Sequence, residues 1–162
     1  MAKEGYALIH RAAKNGHLRV LEFLLENGVD VDHETNQGTA LSIAAQHGHL
    51  KTFEYLIKCE ADIERGSPFG EAIVSGYQSV VKLLLDKGAD TNGIHKMKAR
   101  WGSVESNITM LGLVVIRSGH PFVKILLERG ADVDLVAEEG ESTPLVWAIA
   151  RDREEIFALL LQ

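Results

Sequence analysis

A single cysteine, Cys59, and only three prolines occur in the 162 residues. One cysteine cannot form an internal disulfide, and no Cys/His cluster has the spacing of a zinc site. Aromatics make up only 6% of the chain, so a core must be built from Leu, Ile, Val and Ala. Nothing reaches the roughly 18 consecutive apolar residues of a membrane span. The opening stretch MAKEGYALIHRAAK lacks an apolar run of signal-peptide length. A reducing, cytoplasmic compartment is the expectation; a fragment carrying a new start Met fits equally well. Basic charge is also short. The formal net charge is −6, which disfavours phosphate backbones as the default partner and leans weakly towards basic proteins.

Nucleotide and nucleophile signatures are missing: there is no Walker-type or dinucleotide-binding glycine loop, no nucleophile elbow and no HExxH. Cys59 has no basic flank beyond Lys58 and no base in register, so no nucleophilic role is expected. The sequence Asn107-Ile108-Thr109 fits a glycosylation acceptor, but is read as idle. No catalytic residue, metal or cofactor is expected.

What the chain has is self-similarity. Five segments align: ALIHRAAKNGHLRVLEFLLENGVDVD (7–32), TALSIAAQHGHLKTFEYLIKCEADIE (39–64), SPFGEAIVSGYQSVVKLLLDKGADTN (67–92), TMLGLVVIRSGHPFVKILLERGADVD (109–134) and the shorter TPLVWAIARDREEIFALLLQ (143–162). Each carries paired small or β-branched residues in a first helix, as at Ala12–Ala13, Ala44–Ala45 and Val114–Val115. A glycine then turns the chain at Gly16, Gly48 or Gly76, and a second helix shows apolar residues at three-to-four spacing. It ends at Gly28, Gly88 or Gly130, suited to a left-handed C-terminal cap. No single unit can bury both its faces, so neighbours must stack.

The motifs AAKNGH (12–17), KGAD (87–90) and RGADVD (129–134) resemble the ankyrin repeat across essentially the whole chain. The resemblance implies an all-α solenoid, a stack of helix-turn-helix units joined by β-hairpin or loop fingers. One domain over 1–162 is expected, with repeats at about 5–32, 37–64, 65–92, 107–134 and 141–162. Departures are visible. The family's turn-stabilising His survives only at His10, with Ser42, Gly70, Gly112 and Val146 elsewhere. Glu60 replaces a cap glycine, and a non-Gly residue in the left-handed region costs roughly 1 kcal/mol. Pro121 falls in the first turn of a second helix, where it is tolerated. His47 and His49 are assigned to the family's turn rather than to a metal.

The connections differ most. Residues 33–38 and 65–66 are short, the second too short for a normal finger, whereas 93–108 is a long insertion. It holds His95, Lys96, Lys98, Arg100 and Trp101, and either solvates as a mixed loop or contacts a partner, since Trp and Arg dominate interface hot spots. The next connection carries Glu138 and Glu139 and no Lys or Arg. The two fingers either pair with each other or both present charge. The resemblance further places Arg11, Ile43, Glu71, Leu113 and Trp147 at a half-exposed position facing the concave groove. Trp147, with Arg151 and Arg117 near it in register, makes a candidate aromatic–cationic patch.

The function expected from the resemblance is protein–protein interaction, as an adaptor, inhibitor or immunity-type antagonist of a protein partner. The alternatives are a structural array or fragment of a larger protein, and nucleic-acid or anion binding through the 95–101 basic finger. The last helix, EEIFALLLQ, brings Ile156, Phe157, Leu159, Leu160 and Leu161 together, and not all can face inward. A monomer or a weak dimer through this C-terminal helix is expected.

Overall fold

Three of the five repeats begin with a threonine whose side-chain oxygen closes the first turn of a helix. Thr39 accepts from the Ser42 amide at 3.2 Å while its own amide donates to the Ser42 hydroxyl at 3.0 Å, a reciprocal capping box. Thr109 accepts from the Gly112 amide at 3.1 Å, and Thr143 from that of Val146 at 3.4 Å. The first repeat has Ala7 at this position, which offers no cap, and its helix runs back to Ala2.

The computed structural model describes residues 2–97, 106–117, 120–138 and 142–162. Among these, ten helices form five pairs. The pairs are α1 (Ala2–Asn15) with α2 (Leu18–Glu26), α3 (Ala40–Gln46) with α4 (Leu50–Lys58), and α5 (Pro68–Ser75) with α6 (Gln78–Asp86). They continue with α7 (Met110–Arg117) and α8 (His120–Glu128), then α9 (Pro144–Ala150) and α10 (Glu154–Leu160). One antiparallel hairpin, β1 (Ile94–Met97) and β2 (Ser106–Thr109), is the only sheet among the described residues.

The chain divides into two compact units, Met1–Ala89 and Asp90–Gln162. In the first, α1, α3 and α5 pack in sequence, as do α2, α4 and α6, around Ile9, Leu21, Leu41, Phe53, Leu56 and Phe69. In the second, α7 packs on α9 and α8 on α10, around Leu111, Leu113, Val115, Leu126 and Ile156.

The second helices end as their glycines require. Gly28 (φ 80°) donates to the Leu25 carbonyl and Val29 to that of Leu24, the paired bonds of a Schellman cap. At Glu60 the same two bonds form, from the Glu60 amide to Ile57 and from the Ala61 amide to Leu56, and Glu60 is held at φ 63° to allow them. The left-handed conformation expected at Glu60 is therefore present. Beyond each cap an acidic side chain orders the turn. Asp30, Asp62, Asp90 and Asp132 each accept from the amide two residues on, at 2.9–3.0 Å. Neighbouring turns are tied together as well: the Asp62 amide donates to Asp32 at 2.9 Å, and the Asp132 amide to Asn92 at 2.8 Å.

The first connection is a small finger. Thr35 and Gly38 exchange backbone bonds across Asn36 and Gln37, and His10 Nε2 reaches the carbonyls of His33 and Gly38 at 3.0 and 3.1 Å. The second connection is as short as its sequence implies. Gly66 (φ 74°) and Ser67 (φ 54°) turn in succession, and Thr39 donates its hydroxyl to the Arg65 carbonyl at 3.3 Å. Pro121 sits in the first turn of α8, as expected.

Candidate functional site

The long insertion places its side chains through strand alternation. Across β1 and β2 the register is Ile94–Thr109, His95–Ile108, Lys96–Asn107 and Met97–Ser106. Cross-strand partners share a face, so the burial of Ile108 carries His95 inward with it. His95 is buried and does not present itself to a partner, which corrects its assignment as a contact residue. Ile94 and Lys96 point the other way and are exposed. The base of the hairpin is closed by the Met110 amide donating to the Gly93 carbonyl at 3.1 Å. Lys98, Arg100 and Trp101 lie outside the described residues, as does Glu139.

The two fingers of the second unit touch through an amide and a carboxylate. The side chain of Asn107 donates to Glu138 Oε1, and Glu138 is exposed. Among the described residues Lys96 makes no ion pair. Among the described residues the link between the two fingers is this neutral donor, and the Lys96 charge lies on the outward face. The same bond and the Thr109 cap occupy both polar residues of the Asn107-Ile108-Thr109 triplet.

On the first-helix face, Leu113 is fully buried and Ile43 nearly so. The half-exposed position expected for Leu113 is thus a core position in α7, closed by α9 packed against it. Trp147 is half-buried, one turn before Arg151 on α9, and Arg151 is exposed. Arg117 is also exposed and occupies on α7 the register position that Arg151 occupies after α9.

Arg153 is a structural residue that composition and motif did not reveal. Its Nη2 donates to the Ile116 carbonyl at 3.4 Å. His49 does the same in the first unit, its Nε2 meeting the Lys14 carbonyl at 2.9 Å. Lys14 and Ile116 are register equivalents, as are His49 and Arg153, so an arginine has taken over the bridging role of the turn histidine. The signal was available in the alignment of Arg153 with His17 and His49. His47 is engaged likewise, Nδ1 meeting the Ile43 carbonyl at 3.1 Å, so the His47–His49 pair serves the turn. Asp152, Arg153, Glu154, Glu155 and Ile156 line a depression of about 380 Å³ beside this bridge. No group of three or more metal-binding side chains converges among the described residues. No described helix is long and apolar enough to cross a membrane.

A family model for ankyrin repeats, three copies in length, matches residues 9–95 and again residues 72–162. The chain belongs to the ankyrin-repeat family, and its fold is the helical repeat solenoid of that family. A comparison with curated proteins finds no match. Ankyrin repeats are generally protein–protein interaction modules and typically not enzymes.

Proposed function

We propose that this chain is an adaptor or inhibitor that grips a protein partner through the outward face of its long finger and the first-helix face of the same unit. The observation that carries this reading is the hairpin. It is braced at its base by the Gly93–Met110 bond and at its side by Asn107–Glu138, while Ile94 and Lys96 remain exposed on it. A braced element loses little conformational freedom on binding, so more of its contact energy appears as affinity. Trp147, Arg117 and Arg151 supply a second contact patch, of the residue types that dominate interface hot spots. Lys98, Arg100, Trp101 and Glu139 complete the proposed surface by their place in the sequence, and Leu113 is withdrawn from it.

The role proposed is binding rather than catalysis, in keeping with the ankyrin-repeat family. The proposal includes a cytoplasmic setting, with which the single free Cys59 is compatible. The formal charge of −6 favours a partner with a basic surface over a nucleic acid.

The test is capture from a lysate of the native host, followed by identification of the retained protein and titration of the purified pair. Reversal of Lys96, Lys98 and Arg100 to Glu together with Trp101→Ala should weaken binding at least about tenfold. Unchanged capture would remove the finger from the binding surface. A steep fall in affinity with salt, on a retained nucleic acid, would instead favour phosphate recognition.

A further inference from the structure

The long finger presents its backbone as well as its side chains. The Met110 amide donates to the Gly93 carbonyl, and this pair continues the β1–β2 register by one step, so it is a hydrogen-bonded pair of the ladder. Bonded and non-bonded pairs alternate along antiparallel strands. His95–Ile108 is therefore the next bonded pair, and Ile94–Thr109 and Lys96–Asn107 are non-bonded. In a non-bonded pair the backbone N–H and C=O point away from the partner strand. The amides and carbonyls of Ile94 and Lys96 thus face the outer edge of β1, and among the described residues β2 is the only strand that pairs with β1.

The two edges of the hairpin differ. On the β2 side the acidic connection comes close, since Asn107 donates to Glu138, and Thr109 is buried as the cap of α7. On the β1 side the flanking side chains are open. Ile94 is 49% exposed, and Lys96 is exposed and makes no ion pair among the described residues. Two strands make a marginal sheet, and a third strengthens it. A row of outward donors and acceptors along a strand is matched by the backbone of another extended strand.

We propose that an extended segment of the protein partner adds to β1 as a third strand; this rests on the finger being the binding surface and specifies how it binds. Backbone bonds to Ile94 and Lys96 supply affinity, and the side chains on their exposed face supply selection. Alternate residues of an added strand fall on that face. The segment therefore carries an apolar residue beside Ile94 and, two positions away, an acidic residue beside Lys96. A second copy of the finger is a poor occupant of the same edge. Antiparallel pairing of two β1 strands centred on Lys96 sets like charges directly opposite one another. Pairing centred on Ile94 or His95 leaves both lysines without a counter-charge opposite them.

The test uses the full chain and a phage-displayed library of random linear peptides. Peptides that bind the wild type but not the double variant Ile94→Asp, Lys96→Glu should share an apolar residue two positions from an Asp or Glu. Synthetic copies are then N-methylated one residue at a time, which leaves the protein itself untouched. Methylation of alternate amides across the motif should weaken binding about tenfold, and methylation of the amides between them should have little effect, because only every second N–H faces β1. Lys96→Glu alone should weaken the acidic peptide about fivefold or more and favour the same peptide with Lys at the acidic position. Peptides that need Ile94 and Lys96 but respond evenly to methylation overturn strand addition and leave the finger as the binding surface. A selection that yields no peptide lost by the double variant also overturns it, and the finger then stands or falls on capture of the whole partner. A chain that dimerises in sedimentation equilibrium, and loses the dimer in the double variant, has a second copy on this edge; that result overturns the proposal too.

Discussion

Arg153 Nη2 and the carbonyl oxygen of Ile116 are joined at 3.4 Å across 37 positions of the chain, and His49 and Lys14 make the corresponding bond in the first unit. Both bonds satisfy a carbonyl at the end of one repeat's first helix with a side chain from the start of the next repeat's second helix. Arg153→Ala should therefore lower stability by about 1 kcal/mol, the net worth of one such bond. His49→Ala should do the same in the first unit. Urea midpoints of the two variants measure the effect, and an unchanged midpoint for Arg153→Ala would reduce that bond to a surface contact.

Glu60 holds its helix cap in a left-handed conformation that glycine adopts freely. Its cap bonds match those of Gly28, so the backbone gains nothing from the glutamate there. Glu60→Gly should raise stability by about 1 kcal/mol. The reverse change, Gly28→Glu, should lower it by a similar amount, because a Cβ at Gly28 meets nothing within 4 Å and only backbone strain is added. Chemical denaturation of both variants checks the sign.

The helix pairs, the glycine caps, the strain at Glu60 and the short Arg65–Gly66 connection were legible because each depends on local spacing. The rest depends on tertiary choices. Ser67 (φ 54°) is left-handed at the end of a two-residue connection, a conformation that no local motif marks. Asp152 (φ 54°) takes the place of the turn glycines without any compositional mark. Period-two alternation alone allowed either Ile94 or His95 to face inward, and hydropathy favours Ile94. The strand that follows decided it, since Ile108 turns inward and His95 is its cross-strand partner. Leu113 was misplaced because exposure at its position depends on how closely the next first helix approaches, which no single repeat encodes.

Gly48 combines two demands, a φ of 69° and the closeness of the next repeat's ring. A Cβ there would lie 2.2 Å from Tyr77 Cε1, an overlap that a rigid ring can relieve only by moving as a whole. Gly48→Ala should therefore cost clearly more than Gly28→Ala, about 2–3 kcal/mol against about 1. Adding Tyr77→Ala to Gly48→Ala should recover the difference. A double-mutant cycle read by thermal or urea unfolding isolates this coupling; a coupling energy near zero would mean that the Tyr77 ring is free to swing aside.

The bond from Asn107 to Glu138 joins the long finger to its acidic neighbour, and its sign can be reversed with one atom exchange. Asn107→Asp replaces an amide donor with a carboxylate facing a carboxylate. The pair lies at the surface, so the loss should be modest, about 1 kcal/mol at neutral pH and low ionic strength. Part of that loss is the missing donor and does not respond to salt. The remainder is like-charge repulsion, which added salt screens over a Debye length of about 10 Å at 0.1 M. Stability of Asn107→Asp relative to wild type should thus improve as salt is raised, while Asn107→Ala, which removes the donor without adding charge, should show no such recovery. Unfolding midpoints at low and high salt separate the two variants, and equal salt responses would mean that Glu138 swings away from the finger once its donor is gone.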